Sequence, residues 1–501
     1  MGCAHSERGH LTPLYYPHHY TLQMKLRLLT YHLTLLCTAW LLLSACHDDT
    51  AGPATPVVGP NTYVRMQVQV ASGRKQRATA AEEGLPRENS ISQITIILFK
   101  GAEGGINAAN ADKVTVRAFC WDVQPLATTA GGAITTYTTG SRLLPANMEY
   151  GTYNVLVVAN ANYAALDGHT LAEVRTQIYN GTPWANNIYA DQSTAWPERQ
   201  SDFVMTSAAN AQIIVGTGST HAGTADDAFT TTSGQPIDLD RLAARIDFVP
   251  DAAYLKKAAD GTIYYEYPVT DADGSATSSK FRLKFVEPYN ITQQSTLFEQ
   301  SMDADATTQA PKDSVIYLGG ESTESGTPRY VVDPLTLHKG NPATTAEAYN
   351  AFYIALNRYN ALPQNGVQLR AKYPVRQGNH ANPDDPANPY YIVAYTAENT
   401  LSVALQQSND VRTYATGLRF FGTYLPNGEE SKAYDRAYDF DIRHRSDTAP
   451  DLALPLAYGI VRNNIYRVRI KSITRTPDNF NITLQIRVVP WQRYEHGDVI
   501  M

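Results

Sequence analysis
The sequence predicts an all-β chain folded as two β-sandwich domains with one or two short helices, and three observations carry that reading. Apolar residues recur at every second position in short runs. Gly, Pro, Asn and Asp separate the runs, and the composition is rich in Tyr (32), Gly (32) and Pro (28). A period of two puts alternate side chains on opposite faces of an extended chain, so each run reads as a strand with a buried face. Short strands at this spacing favour packed sheets. Charged residues make up 18% and the net charge is −7 over 501 residues, with no basic stripe, so no nucleic-acid partner is expected.

The amino-terminal segment reads as targeting sequence. Residues 1–23 carry no export chemistry and are taken as a mis-called start. A signal peptide is expected over 24–45: Lys25 and Arg27 supply the positive region, and residues 33–43 form an apolar run. That run is too short and, with Thr34 and Thr38, too polar for a span of about 20 residues. It ends in Leu43-Ser44-Ala45-Cys46, the pattern of a lipobox, which makes Cys46 the expected lipidation site and a firm outer-membrane anchor. Asp48 and Asp49 are either a surface-export signal or a solvated tether. Once the leader is gone, Cys120 is the only other cysteine, so no disulfide can form within one chain. Beside Trp121, it reads as a core residue.

The elements follow in order. A Pro/Gly linker over 51–60 precedes Val64, Met66, Val68 and Val70, which alternate with Arg65, Gln67 and Gln69 as a half-buried strand. Residues 72–89, with Arg74, Lys75, Arg77 and Arg87, read as an exposed basic loop. Residues 91–99 are apolar on both faces and are expected in the middle of a sheet. Further strands are expected at 114–119, 153–158, 203–205 and 213–215. Thr170 with Glu173 forms a capping box ahead of Leu171, Val174 and Ile178, and Thr344 with Glu347 is expected to cap a second helix. The Gly/Thr/Ser-rich stretch 216–234 divides the chain into domains 78–235 and 236–501, the second opening on the alternation from Leu242 to Phe248. Residues 382–389, rich in Pro and Asn, are a loop.

Near the carboxyl terminus, residues 458–470 lead into a strand with Tyr466, Val468 and Ile470 on one face, and 474–479 reads as a turn. Ile482, Leu484, Ile486 and Val488 then alternate with Thr483, Gln485, Arg487 and Val489 before Pro490 and Trp491. This last strand repeats the pattern of the first: four apolar residues at every second position.

With these pieces in place the sequence resembles the fimbrillin family, the subunits of type V pili in Gram-negative anaerobes. The resemblance rests on the lipobox at Cys46, Arg77-Ala78-Thr79, and Tyr153-Asn154-Val155-Leu156-Val157-Val158-Ala159-Asn160. It continues through Arg241-Leu242-Ala243-Ala244-Arg245-Ile246, Ala397-Glu398-Asn399-Thr400, and Arg462-Asn463-Asn464 on to Trp491. It implies that the sandwiches are transthyretin-like and that an arginine-specific maturation protease removes the lipidated segment 46–77 with the first strand, Val64, Met66, Val68 and Val70. Cleavage is then expected between Arg77 and Ala78, with Arg74, Lys75 and Arg87 as alternatives. It further implies a donor strand, Ile482, Leu484, Ile486, Val488 and the anchor Trp491, that enters the groove of the next subunit. The implied partners are other copies of the chain and related fimbrial subunits, and the implied place is the outer membrane and then a cell-surface fimbrium. Shaft and tip subunits are not distinguished by these motifs.

Nothing in the sequence points to an enzyme or a cofactor. The histidines from His47 to His496 are scattered, without His-x-x-x-His or His/Cys spacing. No Gly-x-Ser-x-Gly elbow or phosphate-binding glycine loop is present. Asp271-Ala272-Asp273-Gly274 lacks the further ligands of a calcium loop and reads as a β-turn. Asp384-Asp385 reads as solvated. The competing function is a surface glycan-binding lipoprotein, with Trp184 or Trp196 as aromatic platforms.

Overall fold
The computed structural model describes residues 63–70, 84–101, 111–122, 129–131, 134–144, 148–180, 202–207, 211–215, 230–304, 311–317, 329–354, 373–383, 385–444, 457–476 and 479–490. All lie in one compact unit, Val57–Met501. The described chain is dominated by strands, with a few short helices.

The first large sheet contains β2 (Gln67–Val70), β3 (Gln93–Phe99), β4 (Arg117–Asp122), β5 (Thr129–Gly131), β6 (Ile134–Thr138), β8 (Gly151–Ala159), β10 (Met205–Ser207), β11 (Ala211–Val215) and β12 (Ile237–Arg241). Its order is β4-β3-β8-β10-β12-β2-β6-β5, with β11 also on β8. Ile94, Ile96 and Leu98 of β3, Val155 and Val157 of β8, Val68 and Val70 of β2 and Leu239 of β12 all point into one apolar cluster. The opposite faces of β3 and β8 (Ile97, Phe99, Leu156, Val158) meet a smaller cluster with Leu171, Val174, Leu297 and Phe298. These two strands are thus covered on both sides, as the apolar residues on both faces of 91–99 predict for β3.

The second large sheet contains β13 (Ala244–Phe248), β14 (Leu255–Lys257), β15 (Ile263–Asp271), β16 (Ala276–Tyr289), β21 (Tyr373–Pro374), β22 (Tyr391–Thr396), β23 (Gly417–Leu425), β24 (Tyr434–Asp441), β25 (Asn464–Thr476) and β26 (Asn479–Pro490). β26 occupies one edge of β25 along its length. The other edge carries two strands in succession: β13 in parallel from Arg245↔Ile465 to Phe248↔Val468, then β15 in parallel from Val269↔Ile473 to Asp271↔Arg475. The register against β26 shifts between Ile470 and Ser472, a bulge that turns the strand between its two partners. β25 therefore belongs first to the layer of β22 and β13, then to the layer of β15, β16, β23 and β24. The layers meet where the rings of Phe248 and Phe420 lie 5.6 Å apart.

Three small sheets complete the strands: β1 (Tyr63–Val64) with β7 (Arg142–Leu143), β9 (Ile178–Asn180) with β17 (Gln294–Thr296), and β18 (Gln300–Ala304) between β19 (Pro311–Tyr317) and β20 (Arg329–Val332). The chain passes from the first large sheet to the second between Arg241 and Ala244.

Several local expectations need correction. The capping box at Thr170 and Glu173 forms, but its helix is only Leu171–Arg175, and Ile178 begins β9 instead of joining the helical face. The second helix, Ala346–Phe352, is capped by Thr345, whose hydroxyl accepts from the Ala348 amide at 3.2 Å. The Thr344 hydroxyl is occupied elsewhere, donating to the His338 carbonyl at 2.9 Å. Cys120 is half-buried instead of in the core, its thiol against Gln93 Oε1 at 3.5 Å: β4 ends its sheet among the described strands, and of residues 117–121 only Ala118 is buried. The turn after β25 is shorter than expected, since β25 runs to Thr476. Asp271-Ala272-Asp273-Gly274 is the hairpin turn of β15 and β16, closed by the Gly274 amide on the Asp271 carbonyl at 2.8 Å with Gly274 at φ +85°.

Candidate functional site: the terminal strands and their anchorage
The first strand realises its alternation in full. Val64, Met66, Val68 and Val70 have at most 1% of their surface exposed, while Arg65 and Gln69 are half-buried and Gln67 is exposed. β2 is an inner strand, not an edge as its position in the chain suggests. One side pairs in parallel with β12 (Val68↔Ile237, Val70↔Leu239), the other antiparallel with β6 (Val68↔Tyr137, Val70↔Thr135). The Met66 amide donates to Thr139 Oγ1 at 2.9 Å, and the Thr139 amide donates back to the Met66 carbonyl at 2.8 Å. Side chains reinforce both flanks: Gln69 Nε2 donates to Asp238 Oδ1 at 2.6 Å, and Arg65 Nη2 to Ser141 Oγ at 3.1 Å.

The last strand is placed differently. β26 lies on β25 in the second large sheet, with Ile482↔Ile473, Leu484↔Ile470, Ile486↔Val468 and Val488↔Tyr466. β25 is its only hydrogen-bonded neighbour among the described residues. Its partners Tyr466, Val468, Ile470 and Ile473 are buried. The first and last strands thus sit in separate sheets and do not pair with each other in the described structure. Cys46, Arg77, Ala78, Trp491, Trp184 and Trp196, with Arg74 and Lys75, lie outside the described residues.

Arg87 lies within them. Instead of an exposed loop, residues 86–88 form a 3-10 turn whose Glu88 has no exposed surface. Glu88 Oε2 accepts from Arg245 Nη1 at 3.0 Å and from the Leu85 amide at 2.6 Å, and Oε1 accepts from the Tyr395 hydroxyl. Burial and the neighbouring Glu88 carboxylate hold the Tyr395 phenol well above its ordinary pKa, so it remains a donor. Arg245 also grips Asp247 through two 3.0 Å bonds. Alongside, Arg241 donates to the Glu88 carbonyl at 3.0 Å, to Asn463 Oδ1 at 3.1 Å and to Asn89 Oδ1. Burial pushes the Arg241 guanidinium down to about 10, which leaves it charged at neutral pH. The segment following β2 is therefore clamped to both large sheets. Arg87 itself is half-buried and donates to the Tyr395 hydroxyl at 3.2 Å.

Sequence reasoning missed this cluster. The available signal was charge at odd positions inside an apolar run: Arg241, Arg245 and Asp247 flank Leu242, Ala244, Ile246 and Phe248 yet are buried with them. The segments 397–400 and 462–464 meet in a second cluster, where Arg462 grips Glu398 at 2.7 and 2.8 Å and donates to the Thr296 carbonyl at 2.7 Å. Among the described residues no group of three or more His, Cys, Asp or Glu could hold a metal, and no helix is long and apolar enough to cross a membrane.

No family model matches the chain, and no curated protein does. Solved structures similar to it include a protein assigned to cell adhesion from Parabacteroides distasonis, at 13% identity over 86% of this chain and 100% of that one, TM-score 0.40. A fimbrilin from Porphyromonas gingivalis is similar at 16% identity over 88% and 100%, TM-score 0.39. A fimbrial assembly protein from Parabacteroides distasonis is similar at 10% identity over 85% and 99%, TM-score 0.34.

Proposed function
We propose that the chain is a structural subunit of an adhesive surface fimbrium, exported as a lipoprotein on Cys46, trimmed between Arg77 and Ala78, and polymerised head-to-tail by strand exchange. The trimmed subunit then comprises residues 78–501, with the first large sheet closing at Arg241 and the second opening at Ala244. The observation that carries the proposal is the inner position of β2. Its loss leaves a slot one strand wide, with unpaired ladder edges on β12 and β6 and an apolar floor. Such open edges are templates for pairing with another chain. A replacement needs apolar residues at alternate positions and free backbone groups, as in β-augmentation. Ile482, Leu484, Ile486 and Val488 meet the first need, and β26 has one hydrogen-bonded neighbour among the described residues, so its transfer opens a single ladder.

Burying four such side chains is worth roughly 6–12 kcal/mol before ordering costs. Each ladder hydrogen bond adds about 1 kcal/mol net, and the slot offers two ladders. The contact joins unlike surfaces, so repetition builds an open filament and not a closed ring. The same geometry bears on the cleavage site. The clamp on Glu88 makes Arg87 a poor substrate, which leaves Arg77, Arg74 and Lys75, with Arg77 ahead of small residues.

Leu484→Asp combined with Ile486→Asp tests the donor. The expected result is a folded, trimmed monomer that forms no heat-resistant ladders on a denaturing gel. Ladders like those of the unmodified chain would refute the assignment, and loss of attachment to a shaft of other subunits would mark the chain as a tip subunit.

A further inference from the structure
Away from the terminal strands, the loop after β20 and the turn after β22 enclose a lysine. The Lys339 side chain has no exposed surface. Its Nζ donates to Asp333 Oδ2 at 2.5 Å, to Asn399 Oδ1 at 2.8 Å and to the Thr400 carbonyl at 2.7 Å. The rings of Phe352 and Tyr353 lie 4.8 and 6.0 Å from it. Each partner is itself fixed. Asn399 Nδ2 donates to the Tyr414 carbonyl at 2.7 Å and to Thr416 Oγ1 at 2.8 Å, which turns the carboxamide oxygen toward the amine. The Tyr353 hydroxyl lies 3.0 Å from the Tyr414 carbonyl and 3.3 Å from that same oxygen, and its single proton can serve either. Asp333 is held by the amides of Leu335 at 2.7 Å and Thr400 at 2.6 Å. Glu398, the other acidic group that acts on Lys339, is paired with Arg462. Burial pushes the Lys339 amine below its ordinary pKa, against the pull of Asp333, so the neutral, nucleophilic form is more populated than in a free lysine.

The three protons of the ammonium thus meet three acceptors, and one of these belongs to a carboxamide, whose carbon an amine can attack once the ammonium gives up a proton. We propose that Lys339 and Asn399 join in an isopeptide bond that the folded chain forms on itself, with Asp333 as the catalytic residue. The lysine ammonium passes one proton to Asp333, and Nζ attacks Cγ of Asn399, the atom bonded to the oxygen it already contacts. As negative charge develops on the oxygen, the Tyr353 hydroxyl turns its proton to it from the Tyr414 carbonyl. A second proton moves from the attacking nitrogen to the carboxamide nitrogen, the Cγ–Nδ2 bond breaks, and ammonia leaves, taking the proton from Asp333 as ammonium. One lysine ammonium and one carboxamide thus give one secondary amide and one ammonium, with no oxidant, reductant or cofactor. Held within hydrogen-bond reach in a dry site, the two groups react as if at very high concentration. The bond ties residues 60 positions apart in the sequence, and it stands independently of the polymerisation reading.

The test is the intact mass of the denatured full chain, once its amino terminus has been determined. The expected mass is below that of the sequence by one ammonia, and digestion yields a branched peptide joining Lys339 to Asn399. Asn399→Ala and Asp333→Ala should show their full sequence masses and no branched peptide. An unmodified chain at its full sequence mass overturns the proposal, as does an ammonia deficit that maps to a cyclised side chain elsewhere. The unmodified chain decides the matter alone, so a variant that fails to fold leaves the test intact.

Discussion
Glu88 shows what a single residue contributes here. A carboxylate without exposed surface is tolerable only when its charge and lone pairs are met, and Arg245, Tyr395 and the Leu85 amide meet them. Removing one member of a buried pair leaves the other uncompensated, which costs about 3–5 kcal/mol. Glu88→Ala should therefore lower the unfolding free energy by about 3 kcal/mol, the low end, because Asp247 still neutralises Arg245. Urea denaturation checks this, and a loss below about 1 kcal/mol would mean that the pair is solvated. Residues of this kind were hardly legible in the sequence. Glu88 sits among Arg74, Lys75, Arg77 and Arg87, and a run of charges reads as a solvated surface. Its burial depends on Arg245, 157 positions away, and no local pattern reports a partner at that distance.

At the scale of elements, periodicity located strands well and their ends poorly. Three of the ends are set by single residues with left-handed backbone. Asn160 (φ 61°) stops β8, Asn290 (φ 52°) stops β16, and Asn463 (φ 56°) delays β25 to Asn464, although the apolar pattern begins earlier. Asparagine tolerates this conformation, but its presence alone does not announce it. Close approach sets another limit. A Cβ on Gly422 of β23 would strike the Arg282 carbonyl and crowd the Phe281 ring of β16. Gly422→Ala should cost about 1–3 kcal/mol, read as a lower midpoint in urea. An unchanged midpoint would show that the β16–β23 ladder can open there without penalty.

At the scale of the whole molecule, the sequence conveyed the class and the matched first and last strands, but not which strands become neighbours. Pairing is a long-range property: β2 lies beside β12, and Val68 meets Ile237. The proposed lipidation and trimming are tested at this scale too. Arg77→Ala should accumulate a lipidated, untrimmed monomer, whereas Cys46→Ala should take up no palmitate analogue. Amino-terminal sequencing of fibres and lipid labelling check the pair. Fibres that start anywhere but Ala78, or labelled Cys46→Ala protein, would count against the respective site.

The long strand β25 has a mechanical consequence. Its first half is laced to β13 and its second half to β15, with all three running in the same direction. In a filament whose subunits are joined through β26, tension enters each subunit at the end of β25 and acts along its length. Both layers of the sandwich then take the load in shear, so the bonds of each ladder resist together, whereas a peeling strand would surrender them one at a time.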